Sequence, residues 1–158
     1  MKTTKMSGLR ALDRKLTKVR AKDIMTGDVV TTDKDRDLSE VARLIIKHRI
    51  NGLPVVSRAG KIEGIVTEND LFMVMDMIKS GDIVPDKTKG GVTPRVSFAM
   101  STVVTTVPIT ATLNEIFVLM KYRNQHTIPV VDKGRMVGVV GKRDVFKSFY
   151  AALKSLDR

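Results

Sequence analysis

The chain of 158 residues contains no cysteine and no tryptophan. Without thiols there is neither a disulfide framework nor thiolate chemistry, and with no signal-like start the expected compartment is a reducing cytoplasm. No apolar run approaches the roughly 20 residues that a membrane span requires, so a soluble protein is expected. Histidine occurs twice, as His48 and His126, and neither sits in a carboxylate cluster at ligand spacing; no metal site is expected. Also missing are a nucleophile–base pair and a paired-carboxylate site, so the sequence does not read as an enzyme. Gly138 and Gly141 precede Lys142 without the Gly-x-x-x-x-Gly-Lys-Ser/Thr spacing of a phosphate-cradling loop. Aromatic residues are few, two tyrosines and five phenylalanines, which speaks against a base-stacking platform.

Acidic residues are in deficit as well, 17 against 28 basic ones, for a net charge of +11. Residues 1–20 hold seven bases and one acid and so supply more than half of that excess. Residues 21–78 come to −2 and residues 96–147 to +4, which makes the second half the better host for phosphate. A basic leader is also compatible with nucleic acid held by counterion release.

What the chain does contain is an internal duplication. Pro54-Val55-Val56 returns as Pro129-Val130-Val131, and Met25, Leu38, Glu40 and Leu44 return as Met100, Leu113, Glu115 and Leu119, all 75 residues on. Beyond the next loop the offset becomes 74, pairing Gly64 with Gly138, Val66 with Val140, Asp70 with Asp144 and Phe72 with Phe146. A single-residue change of offset is tolerated only in an exposed turn, so Ser57 to Gly60 and Asp132 to Gly134 are read as turns. Two copies predict one pseudo-twofold module, and halves of roughly 60 residues are expected to pack mutually around one core.

Leu9, Leu12 and Leu16 mark a short amphipathic helix over residues 8–18 behind a frayed start at 1–6. The β-branched run Val29 to Thr32 predicts a strand, and Leu38, Val41, Ala42 and Ile45 mark a helix face that Leu113, Ile116, Phe117 and Met120 repeat. Strands follow at Leu53 to Val56 and Lys61 to Thr67, then a helix from Glu68 to Lys79 that is apolar well beyond one stripe. Such a helix needs two burial partners, so it is read as a homodimer face, with a deep core helix as the alternative. Residues 98–106, 112–123, 127–131 and 135–140 and a helix from Lys142 repeat the course. The fold class is therefore α/β (α+β), with each half a small three-stranded sheet carrying two helices and the halves packed sheet to sheet. The expected boundaries are a leader at 1–18, repeats at 19–79 and 96–158, and a linker at 80–95.

Each repeat ends with a glycine, a short apolar strand and a carboxylate six residues on, at a helix N-terminus. Free N–H groups there favour an anion, and Asp70 or Asp144 can accept from two neighbouring hydroxyls; a phosphate beside a vicinal diol describes a nucleotide. Asp23 to Thr26, Asn51 to Val56 and Gly64 to Asp70, echoed by Met100-Ser101, His126 to Val131 and Gly138 to Asp144, resemble the cystathionine β-synthase (CBS) domain in tandem, a Bateman module. The resemblance covers about residues 19–150. It implies regulatory binding of AMP, ADP, ATP, S-adenosylmethionine or NAD in two clefts, with no obligatory cofactor, often in a homodimer that signals to an effector protein. By the resemblance, one cleft takes Asp70 on the ribose diol and Thr67 on ribose or phosphate, with adenine against Thr106, His126, Thr127 and Pro129. The other takes Asp144 with Gly141, Lys142 and Arg143 toward ribose and phosphate, and adenine against Thr31, Asn51, Gly52 and Pro54. Thr67 has no hydroxyl counterpart at Gly141, so unequal clefts are expected. The competing readings are a basic nucleic-acid-associated protein and a structural pair with empty clefts.

Overall fold

The computed structural model describes residues 2–83 and 94–156, so most of the expected linker at 80–95 lies outside the described residues. In chain order the elements are α1 (Lys2–Leu16), α2 (Ala21–Ile24), α3 (Leu38–His48), β1 (Gly52–Val56), β2 (Ile62–Thr67), α4 (Glu68–Ser80), α5 (Val96–Ala99), β3 (Val107–Pro108), α6 (Leu113–Tyr122), β4 (Thr127–Asp132), β5 (Arg135–Gly141) and α7 (Lys142–Lys154). The chain divides into two compact units, residues 30–104 and residues 1–29 with 105–158. Each has its own buried cluster, where the sequence suggests one core. Leu38, Val41, Ile45, Leu53, Val55 and Val66 anchor the first, and Ile116, Met120, Ile128, Val130 and Val140 the second.

In the unit of residues 30–104, β1 and β2 form an antiparallel hairpin. The strand expected at 29–32 shrinks to one parallel bridge, Thr32 to Val55. The cause is Pro54. Thr32 donates to the Pro54 carbonyl (3.1 Å) and accepts from Val56 (2.9 Å), but the next rung toward the N-terminus needs a proline N–H. In the other unit β3, β4 and β5 form a three-stranded sheet whose β3 is only two residues long, and it too starts opposite the residue after a proline, Val107 against Val130. Each repeat is thus a mixed helix-and-sheet unit, but only one sheet reaches three strands. Thr32 and Val107 occupy matching rungs 75 residues apart, so Thr31 corresponds to Thr106.

The strand expected within 98–106 is largely absent. Residues 96–99 form a helical turn, and Ser101 then makes an antiparallel bridge to Ile65 (2.9 Å in both directions). Its counterpart is α2 followed by the bridge from Thr26 to Val139. Each repeat therefore gives its opening segment to the unit that holds the other repeat's hairpin. The motif glycines make this possible. A Cβ on Gly64 would stand 2.7 Å from the Ser101 carbonyl oxygen, and one on Gly138 would stand 2.6 Å from the Met25 sulfur and 3.0 Å from the Thr26 carbonyl.

The remaining differences are local. The leader helix starts at Lys2 and not after a frayed 1–6; Leu12 is buried, and Lys15 donates to Ser155 just beyond α7. Both expected turns are present, with Gly60, Lys133 and Gly134 at positive φ, the last two forming the two-residue connection that suits a hairpin. No described helix is long and apolar enough to cross a membrane.

Candidate functional site

In the unit of residues 30–104, β2 runs into α4 at Thr67, whose extended backbone (φ −124, ψ 169) makes it the N-cap. The Asp70 carboxylate folds back: Oδ2 accepts from the Thr67 amide (2.7 Å) and from the Thr67 hydroxyl (2.8 Å). This reciprocal cap orients the side chain and occupies one oxygen. Oδ1 makes no hydrogen bond and no ion pair with a described residue, so it keeps its acceptor capacity. Gly52 lies opposite Thr67 in the hairpin register, and Pro54 lies opposite Ile65. Asn51 is coupled to the same helix start, since its carbonyl accepts from the Glu68 amide (2.9 Å) and its side-chain amide donates to the Glu68 carboxylate (3.1 Å). Thr31 lines a polar cavity of about 310 Å³ together with Asp33, Arg36, Glu40 and Arg58.

The other unit repeats the arrangement with different chemistry. Gly141 caps α7 with an extended backbone, and its amide donates to Asp144 Oδ2 (2.8 Å). No hydroxyl adds a second bond, and Oδ1 again has no protein partner among the described residues. Lys142 and Arg143 sit in the first turn with no ion pair to a described residue, where α4 has Glu68 and Asn69. His126 stands where the first repeat has Asn51, but its ring nitrogen pairs with Asn124 (2.7 Å), a residue at positive φ, and not with the helix start. Thr127 faces Gly141 across the hairpin, Pro129 is buried in β4, and Thr106 is exposed immediately before β3.

Each unit thus brings together one capped aspartate and one strand entry. Asp70, Thr67, Asn51, Gly52, Pro54 and Thr31 share one unit, while Asp144, Gly141, Lys142, Arg143, His126, Thr127, Pro129 and Thr106 share the other. The tie between Asn51 and Glu68 escapes sequence reading, because an Asn–Glu pair 17 residues apart has no periodic signature; the only hint is that His126 and Lys142 replace both members in the second copy. Among the described residues no group of three His, Asp or Glu side chains converges as a metal would require.

The family model for the CBS domain matches residues 21–76 and again 96–151. Among curated proteins, an uncharacterized protein of Methanocaldococcus jannaschii, MJ1426, is 29% identical, covering 80% of this chain and 89% of its own. The inosine-5′-monophosphate dehydrogenase of Mycobacterium leprae is 31% identical over 84% of this chain, which spans only 23% of that enzyme. Among solved structures, the CBS domain pair of MJ0100 in complex with 5′-methylthioadenosine and S-adenosyl-L-methionine superposes with a TM-score of 0.70 at 27% identity, covering 84% of this chain and 97% of that one.

Proposed function

Because this chain belongs to the CBS domain family, we propose that it is a regulatory module that binds an adenosine-bearing ligand and passes the change to another polypeptide. The carrying observation is the pair of capped aspartates. Each is held at a helix N-terminus by a bond to one carboxylate oxygen, and each keeps the other oxygen for a ribose diol. Asp70 and Thr67 act on one ribose, with Thr106, His126, Thr127 and Pro129 around its adenine. Asp144 acts on the other, with Gly141, Lys142 and Arg143 at the helix start and Thr31, Asn51, Gly52 and Pro54 around the base. The match to the MJ0100 pair, which holds two adenosine derivatives, supports this ligand class. Candidates are AMP, ADP, ATP, S-adenosylmethionine and NAD. The module acts as a homodimer in the cytoplasm and is not itself catalytic: ligand shifts a conformational equilibrium that an effector protein reads.

Isothermal titration calorimetry with AMP, ATP and S-adenosylmethionine tests the reading, on the unvaried chain and on Asp70→Asn and Asp144→Asn, which keep a cap acceptor. Binding that one or both substitutions weaken is the expected result. Absence of heat with every adenosine ligand leaves a structural pair. A charge of +10 on the unit that carries α1, seventeen bases against seven acids, favours one second reading, nucleic-acid association. Binding to a DNA duplex that falls steeply with salt and vanishes without residues 1–18 is its signature.

A further inference from the structure

The leader helix α1 packs one face on its own unit and exposes the other. Leu12 is buried, Gly8, Ala11 and Leu16 are half-buried, and Lys15 donates to Ser155 beyond α7. The exposed face holds Met6 (54% exposed), Leu9 (66% exposed), Arg10, Asp13 and Arg14, at the helical spacings i, i+3, i+4, i+7 and i+8, with Lys18 at its edge. Arg10, Arg14 and Lys18 form no ion pair with a described residue. Asp13 is the single acid against the seven bases of residues 1–20, so an apolar pair sits on this face within a strong excess of positive charge.

We propose that this face of α1 docks on a bilayer surface rich in anionic phospholipid, the helix lying in the plane of the headgroups. Charge complementarity selects the surface, because basic residues near an anionic leaflet each add to the attraction. The apolar pair then selects a bilayer over other polyanions. Met6 and Leu9 enter the boundary between headgroups and acyl chains, as in interfacial helices that set bases beside apolar side chains. Against a nucleic-acid backbone the same two side chains meet nothing apolar. Residues 1–20 also contain no aromatic residue, no Asn and no Gln, so they lack both stacking groups and the amides that read adenine. Nor does a second copy suit this face, since a leader of +6 repels its equivalent. Such a contact is peripheral and crosses nothing. It goes beyond the ligand-sensing reading and does not depend on it.

Cosedimentation of the full chain with vesicles tests the proposal, comparing phosphatidylcholine alone with an equal mixture of phosphatidylcholine and phosphatidylserine. Binding to the mixed vesicles that falls with salt, and little to the neutral ones, is the expected result. Arg10→Glu with Arg14→Glu is expected to weaken it more than about tenfold. Met6→Ser with Leu9→Ser is expected to weaken it about fivefold and to leave binding to a DNA duplex unchanged. Because the chain has no tryptophan, Leu9→Trp supplies a single fluorophore, whose emission should move to shorter wavelength with the mixed vesicles and stay in place with DNA. No binding to the mixed vesicles, or equal binding to the neutral ones, overturns the inference. Full binding by the Met6→Ser, Leu9→Ser chain also overturns it and leaves a patch that takes any polyanion, while a fall in that chain's mass by light scattering assigns the face to a second copy. These positions are exposed, so the melting temperature should hold; should it fall, the Leu9→Trp emission decides alone. The calorimetry with adenosine ligands is judged separately.

Discussion

The two units share one plan and differ in charge and at the starts of α4 and α7. The unit of residues 30–104 carries eleven bases and ten acids, while the other carries the whole remaining excess of +10. The first caps its site helix with a threonine and ties Asn51 to Glu68; the second caps with a glycine and leaves Lys142 and Arg143 without an ion pair among the described residues. Buried positions such as Val66 and Val140 match in both kind and place. Packing constrains the interior of both copies alike, and a duplicated site diverges first where side chains face water.

The sharpest way to break the symmetry is at the motif glycines. Gly64→Ala drives a methyl into a backbone carbonyl that a bridge fixes, and Gly138→Ala meets first the flexible Met25 side chain. Overpacking costs about 1–3 kcal/mol, so Gly64→Ala is expected near the top of that range and Gly138→Ala near the bottom, as measured by urea denaturation. Equal losses would show that the Thr26 carbonyl, and not Met25, sets the second limit.

The next comparison is chemical. Lys142 and Arg143 favour a phosphate at the α7 start, whereas Glu68 repels one at α4. Asp144→Asn is therefore expected to weaken AMP about tenfold, and Asp70→Asn to weaken the phosphate-free 5′-methylthioadenosine by a similar factor, both by calorimetry. Equal effects of both variants on both ligands would mean that the helix starts do not discriminate.

Much of this plan is legible in the sequence, and the reasons are local. The duplication, the hairpin turns and the aspartate three residues after the strand end all declare themselves within a few neighbouring residues. Pairing across long distances does not. The bridge from Ser101 to Ile65 spans 36 residues and the one from Thr26 to Val139 spans 113, and neither Met-Ser nor Met-Thr has a strand-like pattern. The β-branched run at 29–32 reads as a strand because propensity describes what a segment tolerates, while the missing proline N–H sits in its partner. Residues 1–6 read as a frayed end, whereas α1 begins at Lys2.

A smaller effect comes from exchanging the caps. A Cβ at Gly141 meets only ordinary contacts, 3.6 Å from the Asp144 carboxylate and 3.8 Å from the His126 carbonyl, and its φ of −101 suits any residue. Gly141→Thr is expected to stabilise by a few tenths of a kcal/mol, and Thr67→Gly to destabilise by about as much, read as opposite shifts in melting temperature. A loss of stability in Gly141→Thr would mean that the glycine answers to a steric demand of the site and not to drift.

The smallest effect separates α6 from α3, the equivalent helix of the other unit. Thr112 and Glu115 form a full reciprocal cap, with the Glu115 carboxylate accepting from the Thr112 amide (2.7 Å) and hydroxyl (3.0 Å); Asp37 at the start of α3 makes no side-chain cap bond. The backbone bond from Thr112, then the hydroxyl bond, hold the Glu115 pKa below its ordinary 4.5. Because the folded-state value is the depressed one, this contribution is complete above the unfolded value and disappears as pH falls through the folded one. Glu115→Ala is accordingly expected to lower the melting temperature slightly at pH 7, and the gap to the unvaried protein should close in acid. The equivalent substitution in α3, Glu40→Ala, also removes the partner of Arg36 and Arg43, but exposed pairs of that kind contribute little. A gap for Glu115→Ala that persists unchanged at low pH would assign the stabilisation to the glutamate's helix-forming tendency and not to its ionised cap.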